Sequence, residues 1–262
     1  MSAGRFRCLA PSNDQGYWAL IIGLNWSKLS VWQGFGTMLV LEKDVAHSQK
    51  EGCASQPERK MDAYFSVDVE TDGPIPGPYS MLSFAVVYAG SFDGVAFRRP
   101  DSYVDSFYRE LKPISESFEP QALSVNGLDR EKLMVHGSSP EDALNQAADW
   151  ISKKAGAGQP VLVAYPLSFD WTWLYWYFVR YAKHGSPFDH SRCFDIKTAL
   201  AVKAGIPVSE AGRSRLDRHL RSAHPHTHHA VDDAISQAQI FANLFEWGGC
   251  DAPVGAEDPI HK

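Results

Sequence analysis

Residues 63–72 read AYFSVDVETD, and this stretch decides the fold. Phe65, Val67 and Val69 alternate with polar side chains, and this period of two predicts a half-buried β-strand. The Gly- and Pro-rich stretch that follows predicts a loop. A nearly continuous apolar run from Met81 to Tyr88 then predicts a second strand. The patterned part of the chain therefore begins with a sheet.

Strand and helix patterns alternate along the rest of the chain. The predicted elements are a helix from Ser139 to Lys154, a strand from Pro160 to Tyr165, an aromatic helix from Phe169 to Lys183 and a last helix from Ala230 to Phe245. Strands that alternate with helices in this way are typical of an α/β fold, in which helices cover a sheet.

The predicted organisation of the 262 residues is one domain with an extension at each end. Residues 1–60 show no sustained period and are expected to form an N-terminal extension, either disordered or accessory. The strand pattern begins directly after Met61, so the domain is predicted over residues 61–250. A flexible C-terminal tail is expected over residues 251–262.

Composition narrows the class of protein. Hydrophobic residues at 44% and charged residues at 21% are globular proportions, which exclude collagen, long coiled coils and wholesale disorder. The net charge of −6 disfavours a protein that wraps nucleic acid by bulk positive charge. The four cysteines form no C-x-x-C pair, and no apolar run reaches the length of a membrane span. We therefore expect a cytoplasmic protein.

The strand that opens the domain carries two carboxylates on one face. Asp68 and Glu70 are two residues apart, so their side chains should lie side by side at the end of the strand. Neighbouring anions repel each other unless a cation lies between them, and oxygen ligands suit Mg²⁺ or Mn²⁺. The pair indicates a metal site, and the alternative is two solvated charges at a sheet edge.

Two further patches contain candidate site residues. Asp170 follows the strand that is predicted to end at Tyr165, where it could point into a cleft or serve as an ordinary first-turn acid of a helix. His228 precedes Asp233 by five residues at a loop-to-helix junction. A histidine there could deprotonate a water, because its ordinary pKa lies near neutrality. The alternative is a solvent-exposed, histidine-rich loop that binds transition metals incidentally.

Three short motifs occur in a fixed order along the chain: DVET at 68–71, FD at 169–170 and HHAVDDA at 228–234. Together with the segment ALSVNGLDREKL at 122–133, they resemble the DEDDh-type 3′–5′ exonucleases, a family within the ribonuclease T and DnaQ-like superfamily. The resemblance covers about residues 63–247. It implies a ribonuclease H-like fold, in which a mixed five-stranded sheet is flanked by helices.

The resemblance implies an enzyme, a metal-dependent exonuclease that hydrolyses single-stranded RNA or DNA from the 3′ end to nucleoside 5′-monophosphates. It implies two Mg²⁺ or Mn²⁺ ions, which Asp68 would bridge. Glu70 and Asp233 would complete the ligands of one ion. Asp170 would act mainly through an intervening water.

The resemblance also implies a general base, and two other classes of protein remain as alternatives to an exonuclease. His228 is the implied base because it stands five residues before Asp233, with His229 as the runner-up and His226 as a more distant third. One alternative is an inactive nucleic-acid- or metal-binding module on the same fold, although the complete set of four acids and a histidine argues against it. Another is a structural protein tethered through residues 1–60.

Substrate contacts are predicted beside the motifs. Thr71, Phe169 and Trp171 are the candidates, since each adjoins a proposed metal ligand or lies in the same motif. Tyr165 and Pro166 stand where the family usually has His-Asn. This departure bears on substrate preference, because every metal and base position is filled.

Aromatic and basic side chains near the motifs each have two interpretations. The rings of the helix predicted from 169 to 183 are expected in the core or at a dimer contact, with a minority stacking on unpaired bases. The resemblance also implies a homodimer, in which the partner beside the nucleic acid would be a second copy of this chain. Four arginines precede the histidine-rich loop, and they predict either a basic face that contacts phosphates or a solvated face. They are Arg213, Arg215, Arg218 and Arg221.

Overall fold

A computed structural model describes residues 60–249 of the chain. The N-terminal extension predicted up to residue 60 lies outside the described residues, apart from Lys60 itself. The C-terminal tail predicted from residue 251 also lies outside them. Both therefore stay predictions.

The described residues contain one mixed sheet of six strands, in the order β3-β2-β1-β5-β6, with β4 also pairing with β2. The strands are β1 (Asp62–Thr71), β2 (Met81–Phe92), β3 (Phe97–Arg98), β4 (Ser106–Glu110), β5 (Gln159–Ala164) and β6 (Cys193–Asp195). β1 runs antiparallel to β2 and parallel to β5, and β5 runs parallel to β6. The predicted α/β fold with a mixed sheet is confirmed, and the two-residue strand β3 adds a sixth strand at its edge.

Helices cover both faces of this sheet within the described residues. They are α1 (Pro120–Asn126), α2 (Arg130–His136), α3 (Pro140–Ala155), α4 (Leu167–Tyr181), α5 (Ile196–Ala204) and α6 (Ala230–Glu246). Three short 3-10 turns, Val208–Glu210, Arg213–Arg215 and Arg218–Leu220, connect α5 to the loop before α6. No described helix combines the length and apolar character that crossing a membrane requires.

The side chains of β1 alternate between two hydrophobic clusters on opposite faces of the sheet. Phe65, Val67 and Val69 pack with α3 and α4 on one face. Tyr64 packs with α5 and α6 on the other face. Because successive side chains of a strand point to opposite faces, Asp68 and Glu70 lie on the face that α6 covers.

The aromatic side chains of α4 serve mainly as core. Trp173, Tyr177 and Phe178 are completely buried, and the Tyr177 hydroxyl accepts a hydrogen bond from the backbone N–H of Met81 at 2.7 Å. Three more rings of this helix are partly buried against the same cluster: Trp171, Trp176 and Tyr181. Core packing is therefore the main role of the predicted aromatic helix.

Candidate active site

Three carboxylates meet where β1 passes under α6. Asp68 and Glu70 come from the C-terminal half of β1, and Asp233 comes from the first turn of α6. Each offers an oxygen within 4.8 Å of the others. Asp233 is buried, while Asp68 and Glu70 are partly exposed. The predicted pair on β1 is thus completed by an acid that follows it by more than 160 residues.

The fourth acid reaches the site from the opposite side of β1. β5 is the parallel neighbour of β1, and α4 begins just after β5 ends, which places Asp170 in the first turn of α4. Its carboxylate Oδ1 accepts a hydrogen bond from the backbone N–H of Val69 at 3.1 Å. Asp170 is therefore fixed between Asp68 and Glu70 along the strand.

Burial and mutual repulsion govern the protonation of these acids. Burial, followed by the nearby charges of Asp170, Glu70 and Asp233, raises the pKa of Asp68 well above its usual range. Burial, with Asp233 and Asp170, raises the pKa of Glu70 to about 8. Burial likewise raises the pKa of Asp170 to about 7, against the opposing effect of the Val69 N–H. So much negative charge in one place favours a bound cation.

The donor set fits a hard divalent ion. The ligands that the four acids offer are carboxylate oxygens, and Mg²⁺ and Mn²⁺ prefer oxygen ligands. The three acids that share one cluster lie close enough to contact a single ion.

Two residues of this site were not singled out from the sequence. Gln237 lies four residues after Asp233 on α6, and its Nε2 donates a hydrogen bond to Asp68 Oδ1 at 2.7 Å. Its spacing from Asp233 is the signal that could have found it, because residues four apart share one face of a helix. Gln237 is buried, so it fixes the orientation of the Asp68 carboxylate.

Arg213 is the second such residue, since the sequence offered it only as one of four arginines. Its charge lowers the pKa of both Asp68 and Asp170 in opposition to burial. Its guanidinium lies 5.4 Å from the centre of the Tyr165 ring, and the Tyr165 hydroxyl donates to the carbonyl of Ala211 at 2.9 Å. Nη1 of Arg213 is buried and has no hydrogen-bond partner among the described residues.

The other three arginines do not share this position. Arg215 pairs with Glu210 at 3.0 Å, and Arg221 donates to the carbonyl of Leu216 at 2.8 Å. Arg218 is exposed at the start of a 3-10 turn. Of the four arginines in the predicted basic face, only Arg213 therefore lies close enough to the acids to affect their pKa values.

The loop before α6 is tied to Asp233. The backbone N–H groups of Thr227 and His228 donate to its Oδ1 and Oδ2 at 3.0 and 3.2 Å. His228 has a φ of 58°, a left-handed conformation that is uncommon for a residue with a side chain. This turn lets the backbone N–H face Asp233 while the imidazole of His228 stays within 4.8 Å of that carboxylate.

The candidate bases occupy different places. The structure brings His228 and His226 to Asp233, and their rings lie 4.7 Å apart. His226 Nδ1 is 2.5 Å from Asp233 Oδ1. The ring of His229 instead lies 5.0 Å from the ring of Tyr108 on β4.

An open pocket of about 350 Å³ adjoins the acids. Glu70, Thr71 and Phe169 line one part of it, and Val125 and Asn126 of α1 line another. Phe169 and Val125 are 40% and 53% exposed, which is high for large apolar side chains beside a cavity. Both apolar surfaces are thus free to contact a ligand.

The three predicted substrate contacts separate into two groups. Thr71 and Phe169 line the pocket, and the Thr71 hydroxyl donates to the carbonyl of Gly73 at 2.9 Å. Among the described residues, Trp171 does not line it, and its ring stacks on Tyr175 with centres 4.6 Å apart.

A buried ion pair helps to attach the pocket wall formed by α1, which carries Val125 and Asn126, to the residues that follow β1. Arg130 at the start of α2 donates through Nε to Asp72 Oδ2 at 3.1 Å, and Asp72 has no exposed side-chain surface. Asn126 at the end of α1 donates through Nδ2 to the carbonyl of Thr71 at 3.0 Å. The helices α1 and α2 are therefore attached to the residues that follow Glu70.

Comparison with known proteins identifies the family. A family model described as the 3′–5′ exoribonuclease Rv2179c-like domain matches residues 123–245. The 3′–5′ DNA exonuclease Cap18 of Escherichia coli is 38% identical over 182 residues, which cover 68% of this chain and 89% of that protein. The chain belongs to the family of 3′–5′ exonucleases that includes Cap18. It is a 3′–5′ exonuclease, as the sequence motifs predicted.

Solved structures share the fold of this exonuclease. One is a 3′-exonuclease that recognises the 3′ end of a histone mRNA stem-loop, with a TM-score of 0.52 and 13% identity over 75% of this chain and 68% of that one. Another is the nuclease domain of 3′hExo, a DEDDh family member bound to rAMP, with a TM-score of 0.53 and 12% identity over 73% of this chain and 94% of that one. The predicted ribonuclease H-like architecture is confirmed.

Proposed function

We propose that this exonuclease hydrolyses single-stranded RNA or DNA from the 3′ end, in a reaction that depends on divalent metal ions and releases nucleoside 5′-monophosphates. The observation that carries the proposal is the convergence of Asp68, Glu70, Asp170 and Asp233 beside an open pocket. Carboxylates alone would repel a phosphodiester, so a cation is needed for the substrate to approach.

The four acids would hold two Mg²⁺ or Mn²⁺ ions. When bound, two such ions stabilise both the attacking water and the leaving 3′ oxygen. Asp68 lies among the other three acids, which suits it to bridge the ions. Glu70 and Asp233 share a cluster with it and would complete the ligands of one ion, and Asp170 would contribute from the α4 side. Gln237 holds the Asp68 carboxylate in position for this role.

His228 would accept the proton of the attacking water. Its ring is exposed beside Asp233, where a water can reach it, and an imidazole nitrogen can take up a proton from that water. His229 is the weaker candidate, because its ring packs near Tyr108. We expect His228→Ala to lose far more activity than His229→Ala. The reverse result would move the role of the base by one position.

The pocket beside Glu70 would receive the terminal nucleotide. Its volume of about 350 Å³ lies at the lower end of the range for small-ligand pockets. Phe169 and Val125 offer apolar surface to a base, and stacking on an aromatic ring contributes about 1–3 kcal/mol for each base. Such contacts tolerate any unpaired base, which supports a single-stranded substrate. Thr71 lies at the end of the pocket nearest the acids.

One experiment tests the proposed function. Single-stranded RNA and DNA of equal sequence, labelled at the 5′ end, are incubated with Mg²⁺ or Mn²⁺ and with wild-type protein, Asp68→Ala or Asp62→Ala. Asp62 lies on the same strand, six residues from Asp68, and serves as the matched control.

A ladder of shortened 5′-labelled products should form with the wild type and with Asp62→Ala. It should disappear with Asp68→Ala or with a chelator. Undegraded strands with the wild type would refute the proposed activity, and binding without cleavage would instead support the non-catalytic module. Equal degradation by Asp68→Ala would refute the site.

The assembly and the compartment remain proposals as well. The homodimer is implied by the family resemblance alone, because the rings of α4 pack largely in the core and give no separate support for a dimer contact. Sedimentation velocity of the full chain would decide it. The cytoplasm is the proposed compartment, in keeping with four cysteines that form no C-x-x-C pair.

A further inference from the structure

We propose that His226, His228 and Asp233 form a second metal site, which takes a borderline transition-metal ion such as Zn²⁺, and that its occupation inhibits the exonuclease. The inhibition rests on the proposed function of Asp233 and His228. The binding site does not, because it is defined by donor atoms alone.

The three side chains already face one another. Two imidazole nitrogens and one carboxylate oxygen all lie within 4.8 Å of each other. His226 Nδ1 and Asp233 Oδ1 are 2.5 Å apart, at the distance of a hydrogen bond. Asp233 is held by the backbone N–H groups of Thr227 and His228, so one ligand is fixed. The side chain of His226 is 44% exposed, which leaves an entry path from solvent.

The donor chemistry separates this site from the acid cluster. Zn²⁺ binds imidazole nitrogen at about 2.0–2.1 Å and commonly takes three protein ligands with a water in the fourth position. Donor atoms around such a tetrahedral ion lie about 3.3 Å apart, and rotation of the two exposed imidazoles would provide that spacing. Mg²⁺ prefers oxygen ligands and would not compete for two imidazoles.

Occupation of this second site would interfere with the proposed catalysis for two reasons. Asp233 also belongs to the cluster with Asp68 and Glu70, so a Zn²⁺ bound to it would compete with the catalytic ions for its carboxylate oxygens. An ion on His228 would also occupy the nitrogen that has to accept a proton. His226 takes part in the second site alone, so it is the residue whose removal separates the two.

Zinc binding is measured without reference to activity. The full-length Asp68→Ala variant is used, because it lacks the central acid of the catalytic cluster. A chromophoric zinc chelator competes with this protein for Zn²⁺ and reports its affinity. His226→Ala is added to this variant, and His224→Ala is the matched control, since His224 is a nearby histidine that pairs with Asp232 at 2.9 Å.

We expect Asp68→Ala and Asp68→Ala/His224→Ala to bind one Zn²⁺ with similar affinity. Asp68→Ala/His226→Ala should bind at least about tenfold more weakly, because even residues that only support a metal ligand typically change affinity by about 10–100-fold. Equal affinity in all three proteins would overturn the proposed site. Circular dichroism shows whether each variant is folded.

Inhibition is measured separately with saturating Mg²⁺. Each protein is compared with its own rate in the absence of zinc, so a change in the basal rate does not matter. The zinc concentration that halves the rate should be about tenfold higher for His226→Ala than for the wild type or His224→Ala. If zinc inhibits His226→Ala at the same concentration as the wild type, the inhibitory zinc binds at the catalytic acids instead, and the proposal is overturned. If no protein degrades nucleic acid, the proposed function fails, and the chelator measurement still decides the site.

Discussion

The buried ion pair between Arg130 and Asp72 gives a sharp test of how the pocket wall is held. Arg130→Met keeps much of the side-chain volume but leaves the Asp72 carboxylate, which has no exposed surface, with the Ser80 N–H as its remaining side-chain partner. Removing one member of a buried pair costs about 3–5 kcal/mol, because the other charge stays desolvated. The melting temperature should fall by about 6–20 °C, since a domain of this size loses about 2–4 °C for each kcal/mol.

The measurement is a double-mutant cycle in urea, with unfolding followed by circular dichroism. Asp72→Asn keeps an acceptor for Ser80 and removes the charge, so Asp72→Asn/Arg130→Met should recover part of the loss, with a coupling energy of about 0.5–3 kcal/mol. Lys132→Met is the matched control on the same helix. Its ion pair with Asp129 is 3.1 Å long but exposed, and it should contribute about 0–1 kcal/mol.

The loss of unfolding free energy in Lys132→Met sets the threshold for judging Arg130→Met. A cost no larger than that of Lys132→Met would show that the pair does not hold the wall, and the reasoning from burial would be wrong. If the reasoning is right, a loosened wall should also raise KM for the nucleic acid more than it lowers kcat. The reason is that α1 lines the pocket without contributing an acid.

Three further predictions concern the pH dependence of stability, metal binding and a buried hydrogen bond. Burial raises the pKa of Glu70 to about 8 and of Asp170 to about 7, so the metal-free protein should lose stability as the pH rises from about 4.5 to 8. Bound Mg²⁺ should reverse that loss. Thermal melts with and without chelator are the measurement, and melting temperatures that do not change with pH would contradict the prediction. Gln237→Leu should weaken Mg²⁺ binding by about 10–100-fold, measured as the Mg²⁺ concentration for half-maximal activity, and an unchanged concentration would remove Gln237 from the site. Tyr177→Phe should cost about 1–3 kcal/mol in urea unfolding by leaving the buried N–H of Met81 without its acceptor, and a cost near zero would show that the bond contributes nothing.

The features that follow from local periodicity were predictable from the sequence. Alternation along residues 63–72 places Phe65 and Val67 on one face and Asp68 and Glu70 on the other, and the structure has them so. The helix predicted from Ser139 begins at Pro140, with the Ser139 hydroxyl accepting from the N–H of Asp142. Both depend on neighbours within a few residues, which a sequence displays directly.

The features that depend on loop conformation and on distant contacts were not predictable. The spacing in the motif selected His228, but the approach of His226 to the same carboxylate follows from a loop conformation, with a left-handed backbone at His228, that no periodic pattern in the sequence predicts. Arg213 could not be separated from its neighbours, because three 3-10 turns in succession carry no regular period. Its position follows from the contact with Tyr165, a residue 48 positions away in the chain.

The long separation between the acids has a consequence for the life of the protein in a cell. The hydrogen bond between Asp68 and Gln237 joins residues 169 positions apart, and it links the first strand of the domain to its last helix. In a partly folded chain in which α6 has not docked, β1 would carry its two acids, but Asp233, His228 and Gln237 would not lie beside them. Such a chain would also lack the cover of one sheet face. Under the proposed function, cleavage would therefore begin only after α6 has docked on the sheet, so that folding and activation would be one event.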